Sequence, residues 1–343
     1  MGLTKLCLRL PWPRHRTRKA SVVKSSPYDS QDSITIAEKP QYTGQPGNEL
    51  TSERAGAICN KITETYSELL KLANYEPGEQ INKLLGDLVP LCTQNLDREV
   101  VQQIVQSARV QEILPPLRDI CSQAESCFES YSAAKIIGDG KDDPKTALER
   151  AKSFRYYSNY VELAWLELCG IQAAGRETPK RIAFIGSGPL PLTSLCLLQE
   201  LKKEADNESD AQGIKVLNVD CDQAAIDISR AMCHAVGDWS KGMEFLCAEA
   251  GSPEVDLTEY DVVYMAALVG VSQEKKEEIT LKVVNSMRPG SLLVVRSAAG
   301  IRTCLYIEFD IATDRLLEKL EPCLTLHPHN EVVNSVIIAR VKI

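Results

Sequence analysis

The stretch that most constrains this chain runs from Arg181 to Ser194, Arg-Ile-Ala-Phe-Ile-Gly-Ser-Gly-Pro-Leu-Pro-Leu-Thr-Ser. An apolar run, Ile182 to Ile185, stops at Gly186-Ser187-Gly188 and resumes as Leu192 to Leu201 at helical spacing. That pattern predicts a buried parallel strand, a tight turn and a helix. The glycines allow the backbone to approach a ligand closely, and the first amides of the helix have no intrahelical acceptor. A nucleotide-type ligand is therefore expected at Gly186, Ser187, Gly188 and Pro189. It is not a pyrophosphate: Pro191 stands where the dinucleotide fingerprint has its third glycine, and Pro189 and Pro191 remove two amide donors. An amino-acid moiety joined to a nucleoside suits such a turn better.

Downstream, strand and helix patterns alternate. Lys215 to Val219 reads as a second strand ending at Asp220-Cys221-Asp222, ahead of a helix from Ala224 to Val236. An acid at the end of the second strand of a doubly wound sheet accepts ribose hydroxyls, which makes Asp220 the candidate and Asp222 the reserve or the helix cap. Met243 to Ala248 is a third strand leading to Glu249, a candidate for the adenine amino group, and Tyr260 to Ala267 a fourth, with Ala267 in the same nucleoside-binding set. After a helix from Gln273 to Met287, Ser291 to Ser297 is the fifth strand and Val332 to Val341 the last, with Cys323 to Asn330 read as connecting loop. Arg296 and Arg302, by the fifth strand, can meet ligand carboxylates, since a planar guanidinium matches a carboxylate with two hydrogen bonds. Asn334 is a further candidate for the substrate site.

The region from Thr51 to Ala174 is patterned as helices throughout. Ala55, Ile58, Ile62, Tyr66, Leu69 and Leu70 form one stripe of a helix capped by Thr51 or Ser52. Helices follow over Gly78 to Leu91, Asp97 to Leu114, Pro116 to Ile137 with proline in its first turn, and Pro144 to Ala174 across a bend. On the fourth, Leu117, Ile120, Cys121, Ala124, Phe128 and Tyr131 share a face; at about 100° per residue Glu125 lies roughly a quarter turn from it and Glu129 roughly a third. On the fifth, Tyr157, Tyr160, Val161, Ala164 and Leu168 share a stripe, with Tyr156 beside it.

The first 50 residues differ in kind. Up to Tyr28 they hold seven Lys and Arg and no acid, then turn to Ser, Asp, Pro, Gly and Gln, a composition that cannot bury enough apolar area to fold. Pro11 and Pro13 interrupt the amphipathic helix of a transit peptide, and Leu6 stands where myristoylation wants Ser or Thr. A net charge of −8 excludes a general nucleic-acid binder, and no apolar run is long enough to span a bilayer. Twelve cysteines without Cys-x-x-Cys pairs or nearby histidines predict reduced thiols in the cytoplasm, and no metal site. The expected organisation is a leader over 1–50, a helical domain over 51–178 and a Rossmann-like domain over 179–343. A small molecule is the expected partner, with neither nucleic acid nor membrane, and a homodimer is the candidate assembly.

A mostly parallel sheet of about five to seven strands with ligand chemistry at the strand ends resembles a class I S-adenosylmethionine-dependent transferase. Five blocks make the resemblance narrower: Phe154-Arg-Tyr-Tyr-Ser-Asn-Tyr160; Phe184 to Ser194; Tyr260-Asp-Val-Val-Tyr-Met-Ala-Ala-Leu-Val-Gly270; Val295-Arg-Ser-Ala-Ala-Gly-Ile-Arg302 with Leu305-Tyr306; and His327-Pro-His-Asn-Glu-Val-Val-Asn-Ser-Val-Ile-Ile-Ala-Arg340. Together they resemble the signature blocks of nicotianamine synthase. The resemblance implies a helical domain packed on a Rossmann-like domain, with S-adenosylmethionine as substrate and no prosthetic group. It implies transfer of the 3-amino-3-carboxypropyl group to an α-amine with release of methylthioadenosine, three times over, the last transfer closing an azetidine ring. The product chelates metals. The family's catalytic carboxylate and tyrosine fall on Glu129 and Tyr160, with Glu125 as the alternate carboxylate and Tyr157 among the substrate-binding residues. Plant members carry histidine at Ala299 and proline at Arg155, positions that bear on acceptor choice and on the number of transfers. A small-molecule methyltransferase and a catalytically silent ligand-binding relative are the alternative readings.

Overall fold

The computed structural model describes residues 46–175 and 178–342. From Gln45 onward the chain is one compact unit. The expected leader lies outside the described residues up to position 45. Helix α1 (Pro46–Leu69) already occupies its last positions, so Thr51 and Ser52 sit inside the helix and do not cap it. Leu70, placed in the α1 stripe by its spacing, falls beyond the helix and is exposed.

Helices α2 (Glu79–Cys92), α3 (Arg98–Val105) and α4 (Ala108–Ile137) follow. The helix expected from Asp97 to Leu114 is broken at Gln106-Ser107, and α4 runs through Pro115 and Pro116 where a helix start was expected. Position on the surface explains the tolerance. Both prolines and the two residues a turn earlier, Gln111 and Glu112, are exposed, so the carbonyls that lose their amide partners can turn to water. Leu114, Leu117, Ile120 and Ala124 meanwhile keep one unbroken buried stripe. Tyr131, expected on that stripe, is exposed beside Lys135. Next come α5 (Pro144–Ser153), whose first amides at Lys145 and Thr146 are accepted by Asp143, and α6 (Tyr157–Ala173).

The sheet half alternates β1 (Arg181–Ile185), α7 (Leu192–Glu204), α8 (Glu208–Gly213), β2 (Lys215–Asp220), α9 (Gln223–Ala235), β3 (Met243–Cys247), β4 (Val262–Met265), α10 (Gln273–Asn285) and β5 (Leu292–Ser297). A 3-10 turn over Gly300–Cys304, α11 (Asp314–Leu317), β6 (Leu320–Leu326) and β7 (Ser335–Val341) close the chain. The strand β6 was not expected. Its outer positions are exposed polar residues, Glu321, Cys323 and Thr325 among them, so its signal is that of a connecting loop. Strand order is β3-β2-β1-β4-β5-β7-β6, parallel except for the pairings of β7.

Both faces of the sheet are buried, which is why its central strands are apolar without alternation. In β1, Ala183 and Ile185 enter one core while Ile182 and Phe184 enter the other, and β4 and β5 split in the same way. A third core joins α1 through α4 to Ile301, Cys304 and Leu305 just after β5, tying the helices to the strand ends.

Candidate active site

Strand order reverses between β1 and β4, and at such a switch point the two following connections leave a crevice at the strands' C-terminal ends. Here the crevice is a cavity of about 840 Å³. The turns after β1, β2, β3 and β4 form its floor, and α4, α6 and the segments around Tyr306 and Asn334 its opposite wall.

The floor is shaped by two glycines and by the carboxylate that ties their turn to β2. Gly186 and Gly188 take φ values of +77° and +62°, and a side chain at Gly186 would run into Val269. Gly188 donates its N–H to Asp220 Oδ2 at 2.9 Å, and Asp222 donates its own to Asp220 Oδ1 at 3.0 Å. Asp220 thus clamps the β1 turn to the β2 turn while facing the cavity. Asp222 caps α9 by accepting from the amide of Ala224 at 2.9 Å. Ser187, Pro189, Glu249 and Ala267 also line the cavity. Two buried polar atoms in its lining, Ser187 Oγ and Asn334 Nδ2, have no hydrogen-bond partner among the described residues. Buried polar groups are almost always paired with protein, water or ligand, so these two are available to a polar partner in the cavity.

The opposite wall is made of side chains. Tyr160, on the first turn of α6, donates its hydroxyl to Glu129 Oε1 at 3.4 Å, so the expected pair is brought together. Glu129 Oε2 sits 2.7 Å from where a Cβ on Gly188 would be, so only a glycine lets the acid reach the turn. One helical turn away, Glu125 Oε2 accepts from the hydroxyl of Tyr306 at 2.7 Å. Burial pushes the Glu129 carboxyl well above the usual range and the nearby Glu125 adds to it, against the Tyr160 hydrogen bond and the charge of Arg296. Burial likewise raises Glu125, against its bond from Tyr306 and Arg296. The wall is therefore acidic, and both carboxyl groups hold a proton more tightly than a glutamate in water does.

Arg296 lines the cavity, yet its Nε and Nη2 are held at 2.8 and 3.3 Å by Glu167, a wholly buried acid on α6, and it lies over Phe184 with 5.1 Å between guanidinium carbon and ring centre. Two expected substrate-binding residues are not in the cavity lining. Arg302 donates to the backbone carbonyls of Val332, Thr93 and Asn330, so its fork is filled by chain segments that have no ladder of their own. Tyr157 packs in the apolar cores that α6 shares with the sheet and α7. Sequence reasoning also missed Lys276, wholly buried on α10, whose Nζ donates to the carbonyls of Ala266 and Ala267 at 2.9 and 3.0 Å. Its neighbours in sequence, Glu274, Lys275, Glu277 and Glu278, are all charged, so no pattern marked it.

Known proteins resemble this chain over most of its length. The family model described as nicotianamine synthase protein matches residues 51–343. The nicotianamine synthase of Solanum lycopersicum is 36% identical over 283 residues, covering 82% of this chain and 83% of that protein. Nicotianamine synthase 2 of Arabidopsis thaliana is 31% identical with the same coverage. Among solved structures, a point mutant of MtNAS in complex with S-adenosylmethionine shares the fold with a TM-score of 0.65 at 20% identity, over 83% of this chain and 98% of that one. The chain belongs to the nicotianamine synthase family.

Proposed function

We propose that this chain is a nicotianamine synthase: it transfers 3-amino-3-carboxypropyl groups from S-adenosylmethionine to an amine acceptor and releases methylthioadenosine, with Glu129 as the base and Tyr160 as its partner. The observation that carries this reading is the contact of the Glu129 and Tyr160 side chains beside the Gly188 turn. In it, residues 179–343 bind the donor, and the helical part, 51–178, supplies the base. Asp220 serves the ribose, Glu249 the adenine amino group and Ser187 a further polar atom of the donor.

An α-amine is mostly protonated near neutral pH and attacks carbon only after losing a proton. A carboxylate whose pKa is raised by burial is a stronger base than one in water, and the tyrosine hydroxyl holds it in place. The freed nitrogen attacks the carbon of the aminocarboxypropyl arm that carries the sulfonium. The C–N bond forms as the C–S bond breaks, the bonding pair returns to sulfur, and neutral methylthioadenosine leaves. Sulfonium is already a good leaving group, so positioning and a base suffice without a general acid. The wall's acids favour the cationic donor and amine, while the third nitrogen of Arg296, which makes no hydrogen bond among the described residues, is suited to a substrate carboxylate.

Three transfers ending in ring closure remain the expected course, and a chelating product assigns the enzyme to metal homeostasis. The described cysteines are free thiols, in keeping with the reducing cytoplasm. Incubation of the purified protein with S-adenosylmethionine tests the reading. Methylthioadenosine as the nucleoside product supports it, S-adenosylhomocysteine makes the chain a methyltransferase, and neither makes it a silent relative.

A further inference from the structure

Helix α4 brings one more acid into the cavity than the proton transfer of a single turnover uses. Glu125 and Glu129 lie four residues apart on one face of α4, about 6 Å along its axis. Each takes a hydrogen bond from its own phenol, Tyr306 and Tyr160, and the two phenols come from different parts of the chain. Two carboxylates placed this close in a poorly solvated cavity oppose each other's ionisation, a cost that a lone base at Glu129 avoids. A cation between or beside them removes it.

We propose that Glu125 and Tyr306 form a holding site for a second ammonium group, the one already carried by an acceptor that has received an aminocarboxypropyl arm. This rests on the transferase reading above. Successive nitrogens in such a chain are separated by three carbons, four single bonds of about 1.5 Å that span roughly 5 Å when extended. That span is close to the roughly 6 Å that separates the two residues along the helix axis. The outer amine thus loses its proton to Glu129 while the inner one stays protonated on Glu125 and changes no bond. The pair then acts as a ruler, keeping a partly built acceptor in register for the next transfer. A single short amine needs only Glu129.

The test is the ratio of products, read by mass analysis after incubation with S-adenosylmethionine, in the parent protein, Glu125→Gln and Tyr306→Phe. Losing one charge-assisted hydrogen bond should release short intermediates early. Whatever the overall rate, the ratio of one-arm and two-arm amines to full-length product should rise roughly tenfold in Glu125→Gln. Tyr306→Phe, which keeps the acid and the ring, should move it in the same direction by less and serves if Glu125→Gln does not fold. An unchanged ratio in both variants overturns the holding site. So does loss of all methylthioadenosine release by folded, donor-binding Glu125→Gln, which makes Glu125 the base. If the parent itself releases no methylthioadenosine, the transferase reading has failed and the holding site falls with it.

Discussion

The floor and the wall of the cavity recognise by different means. On the sheet side, left-handed glycines, a bridging Asp220 and two carbonyls pinned by Lys276 fix the course of the main chain. On the helix side, Glu125, Glu129, Tyr160 and Tyr306 present mostly titratable side chains. A floor fixed in this way suits a part common to every turnover, the nucleoside. A wall of acids and phenols suits the part that changes charge. The difference teaches where substitutions should separate binding from chemistry: wall variants should change rate at constant donor affinity, and floor variants should do the reverse.

The largest expected effect is at the wall. Glu129→Gln keeps the shape and the contact with Tyr160 but cannot take a proton. Methylthioadenosine release should fall about 10²- to 10⁴-fold, the usual worth of a positioned base. Calorimetry should find donor affinity unchanged within a few-fold. An unimpaired variant removes Glu129 from the mechanism, and an equal loss of donor binding erases the contrast between floor and wall.

Gly188 is where the two meet, so it sharpens the comparison. Alanine there has to hold φ +62° and place its Cβ against Glu129 Oε2. About 1–3 kcal/mol of strain is expected, either as lost stability or, if the turn swings away, as weaker donor binding by up to roughly a hundredfold. Gly188→Ala with normal melting and normal donor affinity would show that the turn does not need its left-handed form. Lys276→Met tests the floor alone. The methionine fills the lysine's volume but leaves the carbonyls of Ala266 and Ala267 without their donor. A donor KM raised about tenfold with little change in kcat is expected, the effect of one or two unsatisfied carbonyls. A fall in kcat at constant KM would assign Lys276 to the chemistry instead.

The same division separates what the sequence made readable from what it hid. The floor was readable because it is local: Gly186, Gly188 and Asp220 sit at strand ends, and the strands are contiguous apolar runs. The wall was half readable. Spacing put Glu125 and Glu129 off the buried stripe of α4, but only the family resemblance paired Glu129 with Tyr160, and nothing local joined Glu125 to Tyr306, 181 positions away. Arg302 misled for the same reason, because a guanidinium aimed at a ligand and one aimed at three carbonyls look alike in a sequence. The break at Ser107 and the passage of α4 through Pro115-Pro116 follow from exposure and packing, which periodicity does not encode.

The smallest effect is in stability and has the clearest sign. The Glu129 carboxyl is raised in the folded protein by burial first and by Glu125 second, so between the ordinary glutamate pKa and the raised value the folded state holds more proton than the unfolded one. Stability from this group is therefore full at low pH and is lost as pH rises through the raised value. Glutamine does not titrate and removes that slope, and it also relieves Glu125 of a like-charged neighbour. Denaturant unfolding of the parent and of Glu129→Gln at about pH 5 and about pH 8 should show the variant gaining on the parent at the higher pH, the reverse of its loss of activity. If the two proteins change in parallel, the acid is solvated in the folded state and the wall is wetter than its geometry implies.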